Sequence, residues 1–430
     1  MTQSFQGIRI LDFTQVFAGP FGVMQLALLG AEVIKIEQPD TGDQTRGLMN
    51  ASNEQGMSPA FSTMNLNKQS LTLNLKHQKA VSIVKSLVRS SDVIVENFKA
   101  GTMTKLGLDY DALKQLKPDL IYCSITGYGQ TGPKAGEAAY DGAIQAASGM
   151  MSQNGHEDTG PTRTGYMPVD MATALNSAFA IASALHRRER FGTGQYIDIS
   201  MLDTAILLQA SQFSNYLNQG QLLGLLGNAS PTRAPTADVF ATQDGVIQIT
   251  ALKQNQVSQL FDALDCASAL EDPKFESPAA RITHSREVQA LLSREIKKQT
   301  TEYWMQRLPR RGVPTAEVKS IPEAAKDPQL AFREILETWP PTASDISSKQ
   351  LVKAAYLTDQ DGPKITSSAP TLGEHNERIL DALGYSESAI AELRADGVIS
   401  KSPIALIAAV PALLVLLYRG ALFPRLFQTT

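Results

Sequence analysis

The 430-residue chain contains two cysteines, Cys123 and Cys266, which are far apart and belong to no CxxC pattern. This scarcity argues against a structural zinc site and favours a reducing compartment. The five histidines form neither an HxH nor an HExxH pattern, so we expect no catalytic metal. The net charge is −4, and the lysines and arginines are spread along the chain without forming a basic block. We therefore expect no nucleic-acid partner.

The first residues also lack the basic cluster and the apolar run that a signal peptide requires. Together with the low cysteine content, this favours a cytoplasmic protein. Hydrophobic residues make up 43% of the chain, which is enough for a globular body with a sizeable core. The length allows more than one domain.

The N-terminal part of the chain has the pattern of a βαβ unit. Residues 8–13 predict a buried strand, residues 21–29 a helix and residues 32–36 the next strand. This order favours an α/β fold with a doubly wound parallel sheet. The turn reads Ala18-Gly19-Pro20 instead of GxGxxG, which disfavours a nicotinamide-dependent oxidoreductase. Glu37 does end the second strand, where such enzymes have an acidic residue that binds the ribose.

Polar segments follow several of the predicted strands, after Ile36, Glu96 and Ile125. In open α/β sheets, ligands bind at the carboxyl ends of the strands, so we expect these segments to form the site. Farther along, a hairpin that turns at Asp244-Gly245 predicts the start of a second, smaller α+β domain.

Asp170 lies directly before a predicted helix whose apolar residues recur at steps of three and four, from Met171 to Leu185. Gly192 and Gly194 predict its end. On this evidence alone, the ordinary interpretation of Asp170 is a helix N-cap.

The last thirty residues differ from the rest of the chain. Residues 404–418 are uncharged and almost entirely apolar, with Pro411 inside them and Arg419 behind them. About fifteen apolar residues are short for a membrane span, which needs roughly 20. The segment is therefore open to three interpretations: a membrane contact through residues 404–423, a helix docked on protein, or an aberrant extension.

Several short blocks occur in order between residues 7 and 399. They are Ile10-Leu11-Asp12-Phe13 with Ala18-Gly19-Pro20-Phe21, residues 30–47, Asn67-Lys68-Gln69-Ser70, residues 92–101, residues 127–133, Tyr140-Asp141, Pro168-Val169-Asp170, Gly192-Thr193-Gly194-Gln195, Asp244-Gly245, Gly312-Val313-Pro314 and residues 370–375. Together these blocks resemble the class III coenzyme A transferases, the CaiB/BaiF family that includes formyl-CoA and carnitine CoA-transferases.

The resemblance implies a fold. It predicts a large Rossmann-like domain that begins with residues 1–220 and is completed by residues 336–399. A small domain would occupy residues 221–335, and residues 400–430 would form the apolar tail. Each subunit would be an open ring, interlocked with a second one in a homodimer.

The resemblance also implies a chemistry in which Asp170 is the nucleophile. Its carboxylate would attack an acyl-CoA thioester and pass through a mixed anhydride to an aspartyl-CoA thioester. A free carboxylic acid would then accept the coenzyme A. No permanently bound cofactor would be needed, since CoA and acyl-CoA are substrates. We expect the helix N-terminus to keep Asp170 ionised, and backbone N–H groups of the glycine-rich loops to stabilise the oxyanion.

Residue by residue, the resemblance carries the family's CoA contacts onto a set of positions in several loops: Val16, Ala18, Gln38, Arg46, Asn97, Phe98 and Lys105. We expect Phe17 and Tyr140 to belong to the same CoA-binding site. For each basic residue a solvated surface charge is the alternative. Phe17 stands where formyl-CoA transferase has a glutamine close to its catalytic site, which argues against a formyl/oxalate substrate pair.

Two other functions remain open. The α-methylacyl-CoA racemases of the same superfamily need a histidine as a second acid/base, and Tyr140 stands in its place. This replacement favours transfer over racemisation. A non-catalytic, membrane-associated CoA-binding protein would account for the apolar tail, but not for the motif around Asp170.

Overall fold

The computed structural model describes residues 3–50, 57–339 and 349–401. Most of the predicted tail 400–430, including residues 404–423, lies outside the described residues. Two compact units are present. The large unit contains residues up to Ile144, Met167–Thr204 and the described residues from Ile335 onward. The small unit contains Gln145–Tyr166 and Ala205–Glu334, so it includes two segments of the predicted 1–220 part, residues 145–166 and 205–220.

The large unit is built on a six-stranded sheet in its described part, with the strands β1 (Arg9–Asp12), β2 (Glu32–Glu37), β3 (Lys68–Thr72), β4 (Val93–Glu96), β5 (Ile121–Thr126) and β6 (Gln195–Ser200). All neighbours are parallel, in the order β3-β2-β1-β4-β5-β6. The chain moves outward from β1 to β3 and then restarts at β4, beside β1. This reversal creates a crevice at the carboxyl ends of β1 and β4. The α/β prediction is confirmed.

The described α-helices are α1 (Ala18–Leu28), α2 (Gln78–Val88) and α3 (Pro168–Phe191), together with Pro59–Met64, Thr102–Leu106, Tyr110–Leu113, Asp141–Ala147, Met201–Leu208, Ala210–Gln219, Gln254–Ala263, Pro278–Thr283, Ser285–Ile296, Thr301–Arg307, Ile321–Ala324, Pro328–Arg333, Asn376–Ala382 and Glu387–Ala395. Within the described ranges, no helix combines the length and the apolar character needed to cross a bilayer.

The two faces of the sheet bury different helices. On one face, α1 and α3 pack against alternate strand residues such as Ile10, Val93 and Ile121. On the other face, α2 and the helices Asn376–Ala382 and Glu387–Ala395 cover Leu11, Ile94 and their neighbours. Since both faces are covered by helices, the central strands β1, β4 and β5 are almost entirely buried.

Helices α1 and α3 approach each other closely at Gly22. A Cβ at this position would lie 2.3 Å from Ser177 Oγ and 2.5 Å from the Ala174 carbonyl oxygen. Both Ser177 and Ala174 are fully buried. The close contact of α1 therefore depends on the missing side chain, and it fixes the position of the helix that carries Asp170.

The small unit has an antiparallel sheet. Strands Ala237–Ala241 and Val246–Thr250 form a hairpin, and Thr315–Glu317 pairs with the second of them. The predicted turn at Asp244-Gly245 lies between the two hairpin strands. The remaining described strands form two ribbons, Gly155–His156 with Gly160–Pro161 and, in the large unit, Leu336–Trp339 with Lys349–Val352.

Candidate active site

A cavity of about 410 Å³ opens at the carboxyl edge of the sheet, where the strand order reverses. Its walls come from the loops that follow β1, β4 and β5, from residues 136–140 and from the first turn of α3. The lining residues are Gln15, Val16, Phe17, Ala18, Gln44, Asn97, Phe98, Lys99, Ala100, Ile125, Thr126, Gly127, Tyr128, Gly129, Gly136, Glu137, Ala138, Ala139, Tyr140, Asp170 and Met201. The predicted strand-end loops thus meet in one cavity.

Asp170 is the third residue of α3, because the helix begins at Pro168. Proline is favoured in the first turn, where a missing N–H costs nothing. The acceptor for the helix N-terminus is Asp141, whose Oδ2 accepts hydrogen bonds from Val169 N at 2.8 Å and Asp170 N at 3.0 Å. The interpretation of Asp170 as the N-cap is therefore wrong: the capping carboxylate belongs to Asp141.

The Asp170 side chain is poorly solvated, with only 7% of the residue exposed. Burial, followed by the negative charge of Asp141, raises the pKa of Asp170 to about 7. The expectation that the helix N-terminus keeps Asp170 ionised is thus reversed, since Asp141 already occupies the donors that would stabilise a second anion. Near neutral pH, both the carboxylic acid and the carboxylate are populated.

The loop after β1 contains a strained residue. Val16 has φ 70°, a conformation that β-branched residues rarely adopt. Its N–H donates to Asp43 Oδ1 at 3.2 Å. Asp43 is paired with the fully buried Lys35 at 2.9 Å, and Lys35 Nζ also donates to the Thr14 carbonyl at 2.6 Å. This buried ion pair holds the loop at both ends and keeps Val16 in place at the cavity wall.

Asn97 connects the loops that follow β4 and β1. Its side-chain carbonyl accepts from Gln15 N at 2.8 Å, and its amide donates to the Gln15 carbonyl at 2.8 Å. Next to it, Phe98 N donates to Glu96 Oε2 at 2.8 Å. Asn97 therefore positions the β1 loop with both ends of its amide.

The cavity brings together seven of the ten predicted site residues, namely Val16, Phe17, Ala18, Asn97, Phe98, Tyr140 and Asp170. Gln38, Arg46 and Lys105 do not line it. Gln38 and Lys105 are exposed on the surface. Arg46 is buried and forms a two-pronged ion pair with Glu37, at 2.8 Å from Nε and 2.7 Å from Nη2. Its guanidinium also lies 3.8 Å from the centre of the Phe61 ring.

Sequence reasoning missed two residues of this site, Asp141 and Lys99. Lys99 is exposed to solvent. Among the cavity-lining residues that the structure describes, it is the only lysine or arginine. The sequence does contain a signal for Lys99, because it lies two residues after Asn97 in the polar segment that follows a predicted strand. Nowhere in the described ranges do three or more His, Cys, Asp or Glu residues gather in a group that would hold a metal ion.

A family model described as CoA-transferase family III matches residues 5–376. The chain belongs to CoA-transferase family III. The predicted resemblance is confirmed, and with it the prediction of an enzyme that transfers CoA.

Named relatives of this CoA-transferase cover most of its length. The succinate–glutarate CoA-transferase of Agrobacterium fabrum is 35% identical over 385 residues, which are 88% of this chain and 95% of the relative. The acetyl-CoA:oxalate CoA-transferase of Acetobacter aceti is 37% identical over 333 residues, covering 77% and 85%. A CaiB/BaiF family protein from Brucella suis has a crystal structure with a TM-score of 0.79 and 32% identity, covering 89% of this chain and all of its own.

Proposed function

We propose that this family III CoA-transferase uses the Asp170 carboxylate as its nucleophile. The observation that carries the proposal is the position of Asp170: a buried carboxylate in the wall of the cavity at the carboxyl edge of the sheet. Acyl-CoA is the substrate class of CoA-transferases, and this is the edge at which open α/β sheets bind ligands.

The proposed reaction begins with an acyl-CoA thioester in the cavity. A carboxylate oxygen of Asp170 attacks the thioester carbonyl, the C–S bond breaks, and CoA leaves as a thiolate with the electron pair. The product is a mixed acyl–aspartyl anhydride. The thiolate then attacks the aspartyl carbonyl, which releases the donor acid as a carboxylate and leaves an aspartyl-CoA thioester.

The second half of the proposed reaction repeats these steps with the acceptor acid. Its carboxylate attacks the aspartyl thioester, expels the CoA thiolate and forms a second anhydride. Attack of the thiolate on the acceptor's carbonyl gives the new acyl-CoA and restores the Asp170 carboxylate. No atom or electron is needed beyond the acyl-CoA and the free acid.

The environment of Asp170 suits this role. Carboxylates are weak nucleophiles in water, and an enzyme must position and desolvate them. Burial raises the pKa of Asp170 to about 7 and so makes its carboxylate more basic than an ordinary aspartate. The ionised form still exists near neutral pH, which nucleophilic attack requires.

For the acids, we propose short dicarboxylic acids. Succinate, glutarate and oxalate appear in the names of the two curated relatives described above, and each of these acids has a second carboxylate. Lys99 supports this choice because it offers a cation at the cavity wall. Phe17 also lines the cavity, and the prediction that it disfavours a formyl/oxalate pair makes glutarate the first acceptor to test.

Other features stay predictions alongside this proposal. They are the interlocked homodimer, the CoA contacts other than Asp170 and the cytoplasmic location. The membrane contact through residues 404–423 concerns residues outside the described part of the chain.

A panel of acyl-CoA donors and free acids tests the proposed function. We expect transfer from succinyl-CoA to glutarate by the wild type, and loss of transfer by Asp170→Ala. Asp158→Ala changes an exposed aspartate and serves as the matched control with normal activity. Undiminished transfer by Asp170→Ala would contradict the proposal, and exchange of an α-proton with solvent in place of transfer would identify a racemase.

A further inference from the structure

A second buried carboxylate lies directly behind the proposed nucleophile. Asp141 is 4% exposed and begins the helix Asp141–Ala147, one residue after Tyr140 of the cavity wall. Its Oδ2 accepts hydrogen bonds from two consecutive peptide N–H groups, those of Val169 and Asp170. Asp141 is thus bound to the backbone of the same residue whose side chain faces the cavity.

Other ionisable groups lie on the elements around Asp170, and among the groups named here Asp141 is the one that binds the N–H groups of Val169 and Asp170. Lys99, Glu137, Tyr128 and Tyr140 line the cavity, and the first two are exposed to solvent. The strands packed against α3 contribute Tyr122, Cys123, Tyr196 and Asp198. Helix α1 has no ionisable side chain. Asp141 is the group whose charge raises the pKa of Asp170, in addition to burial.

At the N-terminus of α3, the carboxylate that binds the free N–H groups belongs to Asp141 and not to the proposed nucleophile Asp170. The free N–H groups of a first helical turn stabilise a nearby anion. Here the N–H groups of Val169 and Asp170 are bound to Asp141. The Asp170 carboxylate therefore receives little of that stabilisation and experiences a neighbouring negative charge. A carboxylate in this environment is a stronger base and a better nucleophile than one that caps its own helix.

We propose that Asp141 is a positioning residue for CoA transfer: it fixes the first turn of α3 by binding that turn's N–H donors, and its negative charge keeps the Asp170 carboxylate basic. This inference rests on the proposed function of Asp170. It assigns to Asp141 a role through Asp170, with no contact to the substrate.

Asp141→Asn tests the charge separately from the hydrogen bonds, since the asparagine carbonyl can still accept from Val169 N and Asp170 N. The ionisation of Asp170 is followed by ¹³C NMR of protein labelled at the aspartate side-chain carboxyl, with Asp170→Asn to assign the signal. We expect the midpoint to move to lower pH in Asp141→Asn by about one pH unit or more. The pH below which single-turnover release of the donor acid from succinyl-CoA declines should move with it.

Two further variants complete the test. Asp141→Glu keeps the charge and should leave the Asp170 midpoint near that of the wild type. Asp141→Ser is a second neutral residue that can cap a helix, and it replaces Asp141→Asn if that variant does not fold. It should show the same downward shift.

An unchanged Asp170 midpoint in both neutral variants would overturn the inference, whether or not activity falls. A purely structural role would lower the rate by the same factor at every pH and would leave the midpoint unmoved. The NMR titration does not depend on turnover, so this failure is distinct from a failure of the proposed function, which would appear as undiminished transfer by Asp170→Ala.

Discussion

Replacing Asp170 with asparagine should abolish transfer and at the same time stabilise the protein at neutral and alkaline pH. The reason is the cost of holding an ionised carboxylate in a poorly solvated site, where 7% of the residue is exposed. The pKa of Asp170 is raised to about 7, against about 3.9 for an aspartate in an unfolded chain. Between these two values the folded protein holds a proton that the unfolded chain has lost.

The sign follows from this difference in bound protons. The contribution of Asp170 to the stability of the wild type falls as pH rises from about 4 to about 7, by about 4 kcal/mol in total. Asparagine does not titrate, so the difference in stability between Asp170→Asn and the wild type should widen by that amount. For a unit of roughly 250 residues this corresponds to about 8 °C in melting temperature.

Differential scanning calorimetry of both proteins at intervals between pH 4.5 and pH 8 measures the difference. The exposed Asp158→Asn is the control and should follow the wild type at every pH. A difference in melting temperature that stays constant over this range would refute the reasoning, because it would mean that the pKa of Asp170 is not raised.

Three further predictions concern the framework around the cavity. Gly22→Ala should lower kcat at least tenfold, because its Cβ would meet the Ala174 carbonyl at 2.5 Å and displace α3; steady-state kinetics measure this. Asn97→Ala should raise KM for the acyl-CoA several-fold with a smaller change in kcat, because both hydrogen bonds to Gln15 are lost. Arg46→Leu should destabilise the large unit by about 3–5 kcal/mol, because it leaves a buried glutamate unpaired; urea unfolding measures this loss.

Each of these predictions has a control or a contrary result. Gly47→Ala adds a methyl group where no heavy atom lies within 4 Å, and it should leave kcat unchanged. An Asn97→Ala enzyme with an unaltered KM would show that the β1 loop does not depend on the amide. If Arg46 contacts CoA as the family resemblance implies, Arg46→Leu would raise KM at unchanged stability, which would contradict its assignment as a framework residue.

Much of the large unit could be predicted from the sequence because its signals are local. Buried strands such as Val93–Glu96 are mostly apolar, and the polar segments behind them mark the carboxyl edge of the sheet. The rule that ligands bind at this edge predicts that the segments after Glu96 and Ile125 form one site, and both of them line the cavity. The blocks that resemble a known family then supplied the chemistry.

The electrostatics of the site could not be predicted because they depend on contacts between distant parts of the chain. Asp141 reaches the N-terminus of α3 from 29 positions before Asp170, and no local pattern indicates that pairing. The resemblance implies that Arg46 contacts CoA, yet Arg46 is paired with Glu37 nine positions earlier. The apolar pattern predicts that α3 begins after Asp170, whereas the helix begins at Pro168, since proline suits the first helical turn.

The central claim is that Asp170 forms a covalent bond to coenzyme A during transfer, and chemical trapping tests it most directly. The wild type is incubated with succinyl-CoA and then with hydroxylamine, which converts a carboxyl ester, anhydride or thioester into a hydroxamate. Peptide mass spectrometry then locates the modified residue. We predict a hydroxamate at Asp170 that is absent when succinyl-CoA is omitted. Robust transfer with no modification at Asp170, or with modification at another residue, would contradict the account.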